Sequence, residues 1–95
     1  MVNDKLIYAV EIFEQYNIDD PSSFTDFDIN TVLFKDYDDA CKYLKLLKQT
    51  WIEDNIDPED IYEFSNEIGI QPSEAFNYGF YKQASIKEKE LNWWK

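Results

Sequence analysis

Not one serine, threonine or cysteine of this chain has a histidine to activate it, because the sequence contains none. Ser-His and Cys-His nucleophile pairs are therefore excluded. What remains for acid–base chemistry is carboxylates: 20 Asp and Glu stand against 9 Lys and no Arg, for a formal charge of −11. Some of these carboxylates must be neighbours in space. Glycosidase-type catalysis would need two of them in a cleft with their pKa values pushed apart. A chain of 95 residues has little room for a substrate cleft. The expectation is that there are no catalytic residues and that the protein is not an enzyme.

Three local patterns invite chemistry and fail on inspection. Asp26-Phe27-Asp28-Ile29-Asn30 begins like a calcium-binding EF-hand loop. Its sixth position is Thr31, where glycine is required, and its twelfth is Tyr37, where glutamate is required. A solvated turn is the better reading, with no metal and no cofactor. Ser65 to Ser73 resembles the turn of a helix-turn-helix. Its first helix would carry Glu59, Asp60, Glu63 and Glu67 without one basic residue, which is wrong for DNA. Cys41 falls near the apolar face of a helix and reads as a small buried hydrophobe. Acids around it oppose a lowered thiol pKa.

The charge itself is the strongest feature, and it is uneven. Residues 1–41 carry a net −8, residues 42–52 a net +3, residues 53–74 a net −8 and residues 75–95 a net +2. Two acidic blocks thus flank a basic stripe. Asp36, Asp38 and Asp39, with Asp19, Asp20, Asp26 and Asp28, form the first. Glu53, Asp54, Asp57, Glu59, Asp60, Glu63 and Glu67 form the second, where no lysine interrupts them. Direct binding of nucleic acid is not expected, since phosphates need Lys and Arg and no Arg is there to read guanine. An anionic membrane surface is excluded on the same ground.

Certain elements must position these acids. Residues 5–16 alternate as a strand, with Leu6, Tyr8, Val10 and Ile12 on one face. Residues 17–28 read as an acidic loop, and residues 29–35 as a second strand pairing antiparallel with the first. Asp36 is placed to cap a helix, with Asp39 where a capping-box acid belongs. Ala40, Leu44, Leu47 and Trp51 follow at helical spacing, opposite Lys42, Lys45 and Gln49. A second helix is expected from Asp57 as N-cap, Pro58 at the first helical position and Gly69 past the end. Its buried stripe is Ile61, Phe64 and Ile68, and it carries Glu59, Glu63 and Glu67 at i, i+4 and i+8. Such neighbours lie about 5–6 Å apart, each like-charge pair costing roughly 0.2–0.5 kcal/mol. Residues 79–91 fit a strand or a helix. The strand is preferred, because two strands need a third to make a stable sheet.

The fold class is then α+β: one domain over residues 1–95, a small antiparallel sheet of about three strands packed by two helices. Disorder is excluded, because 18% of the residues are aromatic. One cysteine and no leader-like N-terminus point to a soluble cytoplasmic protein. Trp93-Trp94 and the cluster Phe76, Tyr78, Phe80 and Tyr81 exceed what one small core needs, and Tyr and Trp are frequent interface anchors.

Leu6-Ile7-Tyr8-Ala9-Val10-Glu11-Ile12-Phe13, the helix entry Asp36-Tyr37-Asp38-Asp39-Ala40 and the acidic Glu59, Glu63, Glu67 segment together give a whole-chain pattern. It resembles the small, acidic, lysine-over-arginine proteins of phages and mobile elements of AT-rich bacteria. Anti-CRISPR and anti-restriction DNA mimics belong to that class. The resemblance implies a host-defence inhibitor and transfers no functional residue. The expected partner is a basic nucleic-acid-binding protein such as a host nuclease, met by a monomer or homodimer. Two alternatives stand beside it: an immunity protein or antitoxin blocking a toxin nuclease, and a phage structural or assembly protein.

Overall fold

Two eleven-residue strands from opposite ends of the chain, β1 (Leu6–Tyr16) and β5 (Phe80–Glu90), make the central ladder of the sheet. They pair antiparallel without interruption, from Leu6↔Glu90 to Tyr16↔Phe80. The other elements are β2 (Asp26–Phe34), α1 (Tyr37–Glu53), β3 (Ile61–Phe64), β4 (Glu67–Ile70) and α2 (Pro72–Tyr78). The computed structural model describes residues 6–18 and 26–90. Asp19, Asp20, Trp93 and Trp94 lie outside the described residues, as does the side chain of Asp26.

The strand order is β2-β1-β5-β4-β3, and every neighbour is antiparallel. The architecture is α+β as expected, but with five strands rather than about three. One extra pair comes from the segment expected to be the second helix. Residues 61–70 form a hairpin, with Ile61↔Ile70 and Phe64↔Glu67 in register across a two-residue turn at Ser65-Asn66. Strand alternation splits the expected stripe: Ile61 and Ile68 are buried on one face, whereas Phe64 turns to the other and is 65% exposed. Ser65, Asn66 and Gly69 are poor helix formers, whereas Ile, Tyr and Phe suit strands.

Antiparallel partners share a face, so the register fixes what each face carries. Val10, Ala84, Ile86, Ile68, Ile70 and Ile61 point to the helical side. There they join Ala40, Leu44 and Trp51 of α1, with Ile56 and Ala75, in one buried cluster. α1 crosses this face with the stripe the sequence indicated. Phe80, Lys82, Ala84 and Ile86 share a face of β5, which is a strand. The opposite face has no helix among the described residues. It buries Ile7 and Ala9 but leaves Phe27, Ile29 and Leu33 of β2 and Phe64 of β3 exposed.

Gly69 has a role other than the helix stop expected of it. It lies in β4 opposite Tyr62, and a Cβ there would meet the Tyr62 ring at 2.5 Å. The missing side chain is the space the ring occupies. The glycine that does end a helix is Gly79, at φ 78°, closing α2 after Pro72 opens it. α2 was not legible in the sequence, since seven residues are too few for periodicity to show. β2 also begins earlier than expected: Asp26–Asn30 is extended strand paired with β1, not a calcium loop or a turn.

Candidate functional site

The second acidic block starts where α1 stops. The Asn55 N–H bonds the Ile52 carbonyl at 3.1 Å, and the Ile56 N–H bonds the Trp51 carbonyl at 3.1 Å. This is a Schellman end, with Asn55 in the left-handed position at φ 73°. Ile56 is buried beside Trp51, so the turn is anchored from below. Glu53, Asp54, Asp57 and Glu59 are exposed above that anchor, and Asp60 is half-buried.

Beyond Ile56 the chain turns again. The Asp57 carboxylate accepts from the Glu59 N–H at 2.9 Å, capping a 3-10 turn over Pro58–Asp60. Asp57 is thus the N-cap the sequence indicated, with Pro58 first in the turn, but three residues follow instead of a helix. Tyr78 of α2 fastens the far side: its hydroxyl accepts from the Asp57 N–H at 3.0 Å and donates to Asp60 at 2.5 Å. The Asp60 bond, the leading cause, raises the Tyr78 pKa above the ordinary phenol value. Sequence reading counted Tyr78 only among the surplus aromatics. A tyrosine eighteen residues from its carboxylate leaves no local signal.

The row of Glu59, Glu63 and Glu67 does not exist as a row. Glu59 sits on the 3-10 turn. Glu63 faces α1 from β3, with the Lys48 ammonium 3.1 Å from its carboxylate. Glu67 lies on the opposite face of the sheet and accepts from the Tyr62 hydroxyl at 2.7 Å. The two-residue turn at Ser65-Asn66 sets Glu63 opposite Ile68 and Glu67 opposite Phe64, so Glu63 and Glu67 face opposite ways. Burial first, then the bond to Glu67, drives the Tyr62 pKa far above its ordinary value.

Of the first acidic block, Asp36, Asp38 and Asp39 lie at the other end of α1, while Asp28 stands apart on β2 opposite Glu14. Asp36 occupies the N-cap position without a side-chain capping bond, so the capping box with Asp39 is not made. Asp38 and Asp39 lie exposed in the first turn, where the helix dipole favours acids. A helix of 17 residues spans about 25 Å, and its exposed Lys42 and Lys45 lie between the two acidic ends. The ten expected site residues therefore fall into three places: three at the start of α1, five around its end, and two on opposite faces of the hairpin.

The ion pairs Lys48–Glu63 and Lys82–Glu14 involve none of the five acids from 53 to 60. Among the described residues no three His, Cys, Asp or Glu side chains converge as metal ligands would. Cys41 is half-buried against the core, its thiol 4.0 Å from the Ser65 carbonyl oxygen. No helix of the described residues is long and apolar enough to cross a membrane. Comparison with known families, curated proteins and solved structures finds no match for the chain.

Proposed function

We propose that this protein is a non-enzymatic inhibitor that binds a basic nucleic-acid-handling protein, such as a CRISPR or restriction nuclease, by presenting carboxylates where that protein expects phosphates. The observation that carries the reading is the turn at 53–60. Glu53, Asp54, Asp57, Glu59 and Asp60 stand there on a backbone held by Trp51, Ile56 and Tyr78, and neither ion pair of the described residues involves them. A preorganised, uncompensated anionic patch attracts a Lys/Arg-lined channel over a distance and speeds association. Little side-chain order is lost on binding, because hydrogen bonds already hold Asp57 and Asp60. Asp36, Asp38 and Asp39, about 25 Å away along α1, supply a second anionic contact.

The protein acts in the cytoplasm of the host cell as a monomer or homodimer, without a cofactor. The test is capture on the immobilised protein from a lysate of the source cell, washed at rising salt. The expected result is a nucleic-acid-binding protein, released by salt and competed off by duplex DNA. Recovery only of self-oligomers or virion proteins would overturn the reading and leave the charge as a solubility device.

A further inference from the structure

The free edge of β2 is a second surface with a readable chemistry. β2 is nine residues long and, among the described residues, ends the sheet, paired with β1 on one side only. Every residue from Phe27 to Thr31 is exposed. No backbone hydrogen bond outside the sheet involves residues 27–34 among the described residues. Natural edge strands are blunted by shortness, proline, bulges or charged side chains, lysine above all, and on β2 the charges are acids, Asp26 and Asp28. β3, the other edge, has only four residues. β2 is long and unbulged, carries no proline, and has its one nearby lysine, Lys35, beyond its end.

The two faces of that edge want different side chains. On the open face Phe27, Ile29 and Leu33 are 63%, 64% and 50% exposed. On the helical face Asp28 lies directly opposite Glu14, and Glu14 in turn lies opposite Lys82. The Lys82 ammonium sits 3.1 Å from the Glu14 carboxylate. So the row across the sheet runs anion, anion, cation, and Asp28 borders a like charge at the outside. Directly opposed like charges destabilise a sheet, and an added cation beside Asp28 would relieve the pair. The corner is anionic enough that Glu14 and Asp28 help burial to push the Tyr16 phenol up to about 12.

We infer that the β2 edge takes up an extended segment of a partner protein in which apolar and cationic residues alternate, adding a sixth strand to the sheet. Main-chain hydrogen bonds supply affinity, and the alternation supplies specificity. A Lys or Arg of the incoming strand lies opposite Asp28, and its apolar neighbours lie over Phe27 and Ile29. A second copy of this chain does not fit. Antiparallel pairing of two β2 strands in one continuous sheet brings residues of like parity opposite. Lys35 has the parity of the open face, so no register sets it against Asp28. Each copy also brings a charge of −11. The inference rests on the proposed function only for the sign of the partner's charge.

The test uses the purified full chain and two synthetic nonapeptides of one composition: Thr-Val-Lys-Val-Lys-Val-Lys-Val-Thr, and Thr-Lys-Lys-Lys-Val-Val-Val-Val-Thr. Calorimetry should show the alternating peptide binding about tenfold tighter. Amide exchange should slow within residues 27–33. Asp28→Lys should weaken the alternating peptide by about fivefold, and Asp28→Asn by less, with circular dichroism confirming the fold of both. Equal binding of the two peptides, or protection mapping away from β2, overturns the inference. So does a dimer in light scattering whose β2 amides are protected without peptide. None of these results depends on the acids of residues 53–60, so the proposed function survives or fails separately.

Discussion

Residues 53–60 carry five acids in eight positions and residues 61–70 carry two in ten, and the two stretches use them differently. In the turn, the backbone is tied down by Trp51, Ile56 and Tyr78, Asp54 and Glu59 are exposed, and the exposed Glu53 accepts only a long 3.4 Å bond from the Gln49 amide. In the hairpin, the carboxylates do the tying: Glu63 to Lys48 and Glu67 to Tyr62. Acidic residues thus separate into those a partner can read and those the fold has engaged. Net charge alone does not make the distinction.

The sharpest way to break the contrast is charge reversal in each region. Glu53→Lys with Asp54→Lys and Glu59→Lys should cut affinity for the captured partner by about 100-fold or more, with an unchanged circular dichroism spectrum. Glu63→Gln with Glu67→Gln should change it by less than about twofold. Similar losses from both sets would erase the distinction. Next in size is Gly69→Ala, which drives a methyl into the Tyr62 ring. It should cost about 1–3 kcal/mol of unfolding free energy by urea titration, while binding by the refolded protein is retained.

Tyr78→Phe removes the hydroxyl that bonds both Asp57 and Asp60. A loss of about 1–2 kcal/mol is expected, together with faster amide exchange at Asp57. Exchange unchanged there would mean that the turn holds itself. The smallest effect is alkaline. Tyr62 and Tyr78 have folded pKa values raised above the unfolded value of 10.0. The unfolded state therefore releases protons first, and stability is intact below pH 10 and declines as pH rises above it. Tyr62→Phe should flatten that decline in a series of melts. A stability curve that rises above pH 10 would contradict it.

Long elements were legible and short ones were not. β1 and α1 announce themselves because eleven and seventeen residues repeat one period, whereas β5, equally long as β1, also fits a helical spacing and was read as a strand only because the sheet needed a third. β3 and β4, at four residues each, offer two alternations apiece, and a helical stripe threads the same positions. Asp57-Pro58 correctly marked a helical start, but sequence gives no measure of how far a start continues. The site was legible as a composition: all five acids of residues 53–60 were singled out. What selects them over Glu63 and Glu67 is contact with Tyr78, Lys48 and Tyr62, side chains brought together from distant parts of the chain. The edge at β2 was hidden for a similar reason, since only the strand order shows that no described strand pairs beyond it.

The most direct measurement is parallel capture from source-cell lysate on the wild-type protein and on the Glu53→Lys, Asp54→Lys, Glu59→Lys variant. A nucleic-acid-binding protein retained by the wild type, displaced by duplex DNA and missing from the variant is the expected result. The same proteins retained equally by both baits would show that the turn is not the binding surface.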